Sequence, residues 1–233
     1  MNCKEGINIK IFLNGGGDGI QTVEARKKFN EIIDHTKPLL YVPLAMESDM
    51  YDGCYEWING EMRDVDLPAI EMVRSARELA NKNLYDYCAL FFGGGNTFKL
   101  LNDLKQSGAF TKIKEYIEND GVTFGGSAGA IIFGESLEAC CLDDTNDVGL
   151  TDTLGFDVLN GISLLCHYTN RTPENHAENK AYLTELSKKM KIVALPEENT
   201  IFINGNDIKV IGSRPYYYFE NGYITEKQCG KFI

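Results

Sequence analysis

The sequence predicts an α/β protein of three layers, in which helices cover both faces of a mainly parallel β-sheet. Short apolar runs alternate with helical patterns from residue 9 to residue 195, the order that parallel strands joined by crossover helices require. Glycine-rich or polar turns follow several of the apolar runs. After residue 200, alternating apolar residues surround two Asn-Gly pairs, which predicts antiparallel hairpins at the edge of the sheet.

The predicted elements follow one another closely, and no repeat, low-complexity segment or linker separates them. We therefore predict a single domain that spans residues 1–233. The longest helical pattern is expected to break near Gly108, and residues 134–157, rich in Asp, Thr and Gly, are predicted to form loops. The predicted strands are 9–13, 39–45, 69–73, 88–92, 122–124, 162–166 and 192–195, and the predicted helices are 22–33, 55–62, 76–83, 97–117 and 177–190.

The composition of the chain argues against several classes of binding partner and site. The formal net charge is -11 and Lys and Arg form no cluster, so nucleic acids and anionic membrane surfaces are poor candidates. The 7 cysteines are scattered without a CxxC spacing, which disfavours zinc and thioredoxin-like sites and fits a reducing compartment. Neither a signal-peptide pattern nor a run of about 18 apolar residues occurs. We therefore expect a soluble, cytoplasmic protein.

A candidate nucleophile lies in residues 125–129, GGSAG, which match the Gly-x-Ser-x-Gly pattern between a predicted strand and a helical pattern. A serine on such a sharp turn projects its hydroxyl from the sheet edge, and the glycines relieve crowding. The N–H of Ala128 is the expected first donor to an oxyanion. Because Gly-x-Ser-x-Gly also arises by chance in loops, the strand and helix around Ser127 are what make it a candidate.

A second glycine loop, residues 93–96, also follows a predicted strand. Backbone N–H groups of Gly94 and Gly95 are candidates for the second oxyanion donor. Phosphate binding is the competing interpretation, but no Gly-Lys-Ser/Thr follows, so this is not a P-loop. Residues 15–19, GGGDG, do not fit the dinucleotide pattern GxGxxG because Ile20 occupies the last glycine position. Either loop can also be an ordinary tight turn between strand and helix.

A catalytic serine needs a base, and the chain has 3 histidines. His35 ends the first predicted helix, and His176 begins a helical pattern among acidic and amide residues. His167 follows an apolar strand, at the sheet edge where open parallel sheets bind ligands. We therefore favour His167 as the base, with a core histidine bonded to the backbone as the alternative.

The third group of a triad is a carboxylate that orients the imidazole. Glu197 follows the last predicted parallel strand, and the neighbouring Glu198 is its main rival. The acid follows the histidine in the chain, whereas it precedes the histidine in α/β-hydrolases, so that fold is not implied. Three further acids between the serine and the histidine either orient the base or are solvated turn residues: Asp143, Asp144 and Asp147.

Five segments occur together in one order: FGGGNTF at 92–98, GSAGA at 126–130, TND at 145–147, HYTN at 167–170 and LPEEN at 195–199. In these segments the sequence resembles the dipeptidase E family of serine peptidases, which also includes cyanophycinases. The resemblance implies a fold like that of the class I glutamine amidotransferases, which is flavodoxin-like, with serine in place of the cysteine nucleophile. It also suggests a homodimer.

The resemblance further implies a Ser-His-Glu triad at Ser127, His167 and Glu197, with oxyanion donors near Gly95 and at Ala128. The expected reaction is acyl transfer, in which the serine attacks an amide carbonyl and water then hydrolyses the acyl-enzyme. This chemistry needs no metal and no organic cofactor. Two alternatives remain: a non-catalytic ligand-binding module on the same fold, and an esterase or isopeptidase of the same superfamily.

The expected substrates are short peptides. Family members specific for N-terminal Asp have an arginine early in the helix after the HYTN motif, where this chain has Ala181. Lys180 and Arg171 lie near that position, but lysine does not reproduce the bidentate arginine fork. Hydrolysis of Asp-X dipeptides and of peptides with another N-terminal residue, including an apolar one, both remain open. The candidate substrate-binding residues are Asn96, Asp147, Asn170, Arg171 and Lys180.

Overall fold

Twelve strands and seven α-helices make up the protein in a computed structural model that describes residues 9–233. The strands are β1 (Lys10–Asn14), β2 (Leu39–Val42), β3 (Ile70–Met72), β4 (Ala89–Phe92), β5 (Val122–Gly126), β6 (Ile162–Leu165), β7 (Lys191–Ala194), β8 (Thr200–Asn204), β9 (Asp207–Ile211), β10 (Tyr216–Glu220), β11 (Tyr223–Lys227) and β12 (Gly230–Lys231). The helices are α1 (Val23–Asn30), α2 (Tyr51–Glu61), α3 (Ala76–Asn81), α4 (Thr97–Ser107), α5 (Ala109–Glu118), α6 (Ala128–Ile131) and α7 (Pro173–Leu186).

The central sheet has 8 strands in the order β12-β9-β8-β1-β5-β4-β2-β3. Its five strands from β1 to β3 are mutually parallel, and β8, β9 and β12 extend it antiparallel on the other side of β1. The pairing of β1 places Asn14 opposite both Gly126 and Thr200. The predicted fold class, a mainly parallel sheet with antiparallel C-terminal strands, is confirmed.

A second sheet of 4 strands has the order β11-β10-β7-β6. Its strands β6 and β7 are parallel, whereas the hairpin of β10 and β11 pairs antiparallel with β7. In the sequence, β6 and β7 are apolar runs like those of the central sheet, so their periodicity did not reveal that they form a separate sheet. Their carboxyl ends lead into His167 and Glu197.

Alternating side chains of the central strands pack in two cores, one on each face of the sheet. Phe12 of β1 faces a core that includes Ala25 and Phe29 of α1 and Ile58 of α2. Its neighbour Leu13 faces the other core, to which α3, α4, α5 and α6 and the second sheet contribute. The three layers are therefore present as predicted. Aromatic rings stack across four adjacent strands on the first face: Phe202, Phe12, Phe124 and Phe91, with successive centroids 4.5, 5.4 and 4.9 Å apart.

The helix bounds differ from the prediction where capping determines them. The predicted break at Gly108 is confirmed, because this residue has φ +80° between α4 and α5. Helix α7 begins earlier than predicted, at Pro173, because the Thr172 hydroxyl caps it by accepting from the N–H of Asn175. His176 consequently lies within the first turns of α7. In residues 9–233, no helix has the length and apolar character needed to cross a membrane.

Candidate active site

Ser127 lies on a sharp turn between β5 and α6. Its φ of 52° and ψ of -119° are unusual for a residue with a side chain, and its N–H donates to the Asn14 carbonyl of β1 at 3.2 Å. A Cβ added to Gly125 would lie 2.1 Å from the Gly129 carbonyl oxygen, so the turn tolerates only glycine there. Helix α6 has only 4 residues, so the free N–H of Ala128 contributes locally rather than through a long helix dipole.

Three of the predicted side chains form one hydrogen-bonded chain. The Nε2 atom of His167 lies 2.9 Å from Oγ of Ser127, and its Nδ1 atom lies 2.8 Å from Oε1 of Glu197. The three residues follow β5, β6 and β7, so they meet where the carboxyl ends of the two sheets converge. The His167 and Glu197 side chains are 35% and 25% exposed, which leaves the imidazole partly open to solvent.

The glycine loop at residues 15–19 holds the imidazole in place. His167 has φ +57°, and its N–H donates to the Gly15 carbonyl at 2.8 Å. Gly16 has φ +103°, and a Cβ there would lie 2.1 Å from Cε1 of the imidazole. The ring therefore packs directly against the backbone of Gly16. This loop was not predicted to be part of the site, because its only signal in the sequence is a glycine run after the first strand.

Glu197 is held by Gln21 and Asn14, for which the sequence carried no signal, and by Asn170, which was predicted to bind substrate instead. Its Oε2 atom accepts a hydrogen bond from Nε2 of Gln21 at 3.1 Å, and its N–H donates to Oδ1 of Asn170 at 3.0 Å. Its carbonyl accepts from Nδ2 of Asn14 at 3.4 Å. The rival Glu198 points elsewhere and contacts Nη1 of Arg214 at 3.4 Å. Glu197 is thus the acid whose carboxylate contacts the imidazole.

The second glycine loop lies close to the serine. A Cβ added to Gly94 would be 3.2 Å from Cβ and 3.6 Å from Oγ of Ser127. Within residues 9–233, the N–H groups of Gly94 and Gly95 donate no hydrogen bond, and Ala128 begins α6, so its N–H has no intrahelical acceptor. The N–H groups of Gly94 and Ala128 are therefore free next to Ser127, and Gly95, whose N–H is also free, lines a cavity together with Ser127.

Cys166 lies beside the serine, but it is a poor nucleophile. It is fully buried, with Sγ 3.6 Å from the Asn14 carbonyl oxygen and 3.7 Å from that of Ser127. Burial raises its pKa well above the usual value for a thiol. The protonated thiol is unreactive at neutral pH, so Ser127 has no competing nucleophile at this position.

Ser127 and His167 line two cavities, one apolar and one polar. The apolar cavity, of about 430 Å³, includes Gly94 and is lined mainly by side chains of α2 and of the sheet. The polar cavity, of about 350 Å³, includes Gly95 and Glu197. When the cleaved bond of a substrate lies at Ser127, the residues on its two sides can therefore enter cavities of different chemistry.

An ion pair and a second carboxylate dominate the polar cavity. Arg171 makes a bidentate pair with Asp143, with N–O distances of 2.5 and 2.6 Å, and also donates to the Cys166 carbonyl at 2.7 Å. Asp144 accepts through Oδ2 from the N–H of Thr97 at 2.8 Å and from the Thr97 hydroxyl, while its Oδ1 accepts no hydrogen bond from residues 9–233. Burial raises the pKa of Asp144.

Aromatic and sulfur-containing side chains line the apolar cavity. Trp57 packs against Tyr41 and Phe91, with ring centroids 6.4 and 6.1 Å apart. Glu61, the one buried acid in this lining, pairs with Arg26 at 2.5 Å, and both side chains are only 7% exposed. Its Oε2 also accepts from the N–H of Gly19 at 2.8 Å. The apolar members of the lining are Tyr41, Met46, Met50, Cys54, Trp57, Met62, Phe91 and Phe124.

The predicted substrate-binding residues separate into two groups. Asn170 and Arg171 line the polar cavity. Asn96 lies outside both linings and caps α4, with Oδ1 accepting from the N–H of Lys99 at 2.8 Å. Asp147 is bonded to Thr145 at 2.7 Å and Lys180 is exposed on α7, and neither lines a cavity. Roles of these three in substrate binding stay predictions.

Comparison with known proteins gives the family. A sequence model of the family described as Peptidase family S51 matches residues 11–211. A Peptidase E from Shewanella denitrificans is 28% identical over 192 residues, which is 79% of this chain and 79% of that protein. A Peptidase E from Nostoc sp. is 29% identical over 201 residues, or 82% of this chain and 78% of that protein.

Structural comparison gives the fold. The crystal structure of a peptidase from an acI-B1 Actinobacterium has the same fold, with a TM-score of 0.73 at 16% identity over 97% of this chain and 98% of that chain. The family match covers most of the chain and includes all three members of the hydrogen-bonded Ser–His–Glu chain. The protein therefore belongs to peptidase family S51 and is a serine-type peptidase.

Proposed function

We propose that the protein hydrolyses short peptides through a triad of Ser127, His167 and Glu197 and an acyl-enzyme intermediate. The observation that carries the proposal is the unbroken chain of hydrogen bonds from Oγ of the serine through the imidazole to the carboxylate, at 2.9 and 2.8 Å. These distances lie within the range that proton transfer between a nucleophile and its base requires.

The proposed mechanism begins with the tautomer of the imidazole. A carboxylate only accepts hydrogen bonds, so Oε1 of Glu197 holds the proton of neutral His167 on Nδ1. The free lone pair on Nε2 then accepts the proton of the Ser127 hydroxyl as Oγ attacks the peptide carbonyl. The same Nε2–H protonates the leaving amine, and a water molecule activated in the same way hydrolyses the ester.

Charge that develops on the carbonyl oxygen needs fixed donors. The N–H groups of Ala128, Gly94 and Gly95 are proposed for this role, because Ala128 and Gly94 adjoin Ser127, Gly95 lines a cavity with it, and none of the three has an acceptor among the described residues. Donors that are already oriented stabilise the tetrahedral intermediate more than the planar substrate, which is the condition for acceleration.

The polar cavity suits an N-terminal residue with a free ammonium group. Oδ1 of Asp144 is available to accept from it, since only Oδ2 is bonded to Thr97. The one Arg or Lys side chain in this lining, within residues 9–233, is Arg171, and Asp143 already neutralises it. An acidic substrate side chain would have to displace that carboxylate, so we propose a neutral N-terminal residue rather than Asp.

A panel of X-Leu dipeptides tests the proposal, with X varied over Asp, Ala, Ser and Leu. We expect turnover by the wild type with the neutral residues preferred, and a loss of at least about 10³-fold in Ser127→Ala, since removal of a triad nucleophile leaves only binding and oxyanion stabilisation. Ser213→Ala is the matched control, because Ser213 is exposed and lines neither cavity. Equal turnover by Ser127→Ala and the wild type contradicts the proposal.

Three sequence-based expectations accompany this function and stay predictions: a cytoplasmic location, no binding of nucleic acid, and a homodimer. The net charge of -11 opposes nucleic-acid binding. Light scattering coupled to size-exclusion chromatography measures the oligomeric state directly.

A further inference from the structure

We propose that the apolar cavity binds a large apolar side chain of the substrate residue on the leaving side of the cleaved bond. This inference rests on the proposed function and assigns the substrate class that the site prefers: short peptides with Leu, Met, Phe or a similar residue directly after the N-terminal residue. The assignment follows from the chemistry of the cavity, its size, and the charge of the cavity on the other side of Ser127.

The side chains that a substrate can contact in the apolar cavity are themselves apolar. Trp57 and Met50, both on or beside α2, are 39% and 51% exposed and line the same cavity, so a bound side chain can contact both of them. Tyr41 and Phe91 form the wall behind the Trp57 ring. Burying an apolar side chain against these groups removes water from both surfaces.

The acids in this lining do not change its character. Glu61 is neutralised by Arg26 at 2.5 Å and accepts further hydrogen bonds from the N–H of Gly19 and the Thr22 hydroxyl. Asp18 is exposed at the rim. The volume of about 430 Å³ falls in the range of specific small-molecule sites and has room for one large side chain with the adjoining backbone.

Charge determines which half of the substrate enters which cavity. In a dipeptide the ammonium group belongs to the residue that acylates the serine, and the carboxylate belongs to the residue that leaves. The polar cavity contains Asp143, Asp144 and Glu197 against Arg171 alone, so it attracts the ammonium and repels the carboxylate. Since Ser127 lies between the cavities, the leaving residue extends toward the apolar cavity.

Two matched peptide series test the assignment through kcat/KM. In the first, Ala-X, the leaving residue is Gly, Ala, Leu or Phe; in the second, X-Ala, the same residues precede the cleaved bond. We expect Ala-Leu and Ala-Phe to exceed Ala-Gly by at least about tenfold, the amount that burial of one such side chain supplies. The X-Ala series should vary much less.

Variants then locate the preference. Trp57→Ala should reduce the ratio of Ala-Phe to Ala-Gly by about fivefold or more, while Tyr85→Ala, which removes an exposed aromatic ring remote from both cavities, should leave the ratio unchanged. Met50→Glu, at an exposed rim position, provides a second test should Trp57→Ala fold poorly, and it should also lower the ratio by placing a charge in the cavity mouth.

The outcomes distinguish a failure of this inference from a failure of the proposed peptidase function. Turnover with equal kcat/KM across the Ala-X series, a preference confined to the X-Ala series, or a ratio that neither cavity variant changes overturns the inference and leaves the triad intact. Absence of turnover on all peptides, together with no fluorophosphonate labelling of a folded sample, overturns the proposed function and this inference with it.

Discussion

Glu197→Gln is expected to inactivate the protein through the tautomer of His167. The wild-type carboxylate accepts the Nδ1 proton through Oε1 and a hydrogen bond from Nε2 of Gln21 through Oε2. An amide at position 197 can still accept the hydrogen bond from Nε2 of Gln21, but only if its oxygen turns toward Gln21. Its NH₂ group then faces Nδ1, which moves the imidazole proton to Nε2, where it blocks acceptance of the Ser127 proton.

The size of the effect follows from this geometry. The same exchange of carboxylate for amide in a serine protease triad lowers kcat about 10⁴-fold, which corresponds to about 5.4 kcal/mol at 1.36 kcal/mol for each factor of ten. Here His167 and Glu197 are 35% and 25% exposed, so water can partly replace the lost acceptor. We therefore expect a loss in kcat between about 10²-fold and 10⁴-fold.

The neighbouring acid supplies the control. Glu198→Gln removes a charge one residue away whose contacts are Arg214 and Asn170 at 3.4 Å, and we expect its kcat to stay within about threefold of the wild type, as for a partly exposed ion pair. Steady-state kinetics on the best dipeptide, with thermal midpoints to show that both variants fold, measures both effects. A Glu197→Gln variant within threefold of the wild type, or an equal loss in Glu198→Gln, refutes the tautomer argument.

Three further changes test how the fold supports the site. Gly16→Ala should lower kcat about 100-fold because the new Cβ occupies the place of the His167 ring. Gly19→Ala is the control: it also has a positive φ, +51°, but its Cβ would meet nothing within 4 Å, so its effect on kcat should be much smaller. Similar kinetics for the two variants would contradict this prediction. Arg26→Met should lower the free energy of unfolding by about 3–5 kcal/mol in urea titrations, because it leaves a buried carboxylate unpaired, and a loss below 1 kcal/mol would argue against a tight pair. Burial raises the pKa of Asp144, so the folded state holds its proton more tightly than the unfolded chain. The wild type should therefore lose stability, relative to Asp144→Asn, as pH rises from the ordinary Asp pKa through the raised one, and parallel pH profiles would show that the shift is absent.

The sequence predicted the fold class and the three side chains that meet, for a physical reason. Apolar runs bounded by turns mark buried parallel strands, and parallel strands bring their carboxyl ends to one edge. Ser127, His167 and Glu197 each follow such a run, so their proximity could be anticipated without knowing the strand order. The order itself could not, and β6 and β7 belong to a separate sheet.

The supporting residues could not be predicted, because their roles come from contacts between distant segments. Gln21 reaches Glu197 across 176 positions, and Gly16 matters only because the His167 ring packs on it. Arg171 resembled a candidate for binding an acidic substrate until the structure paired it with Asp143. The sequence predicted only a helix at residues 55–62, and its apolar pattern does not distinguish a core face from the wall of an open cavity such as the one that Trp57 lines.

The central claim is that Ser127 is the nucleophile, and the site of covalent modification by a fluorophosphonate tests it most directly. Intact-mass and peptide-mapping spectrometry should find one adduct on each folded wild-type chain, located on Ser127, with labelling abolished in Ser127→Ala and strongly slowed in His167→Ala. An adduct on any other residue, or undiminished labelling of Ser127→Ala, would contradict the account.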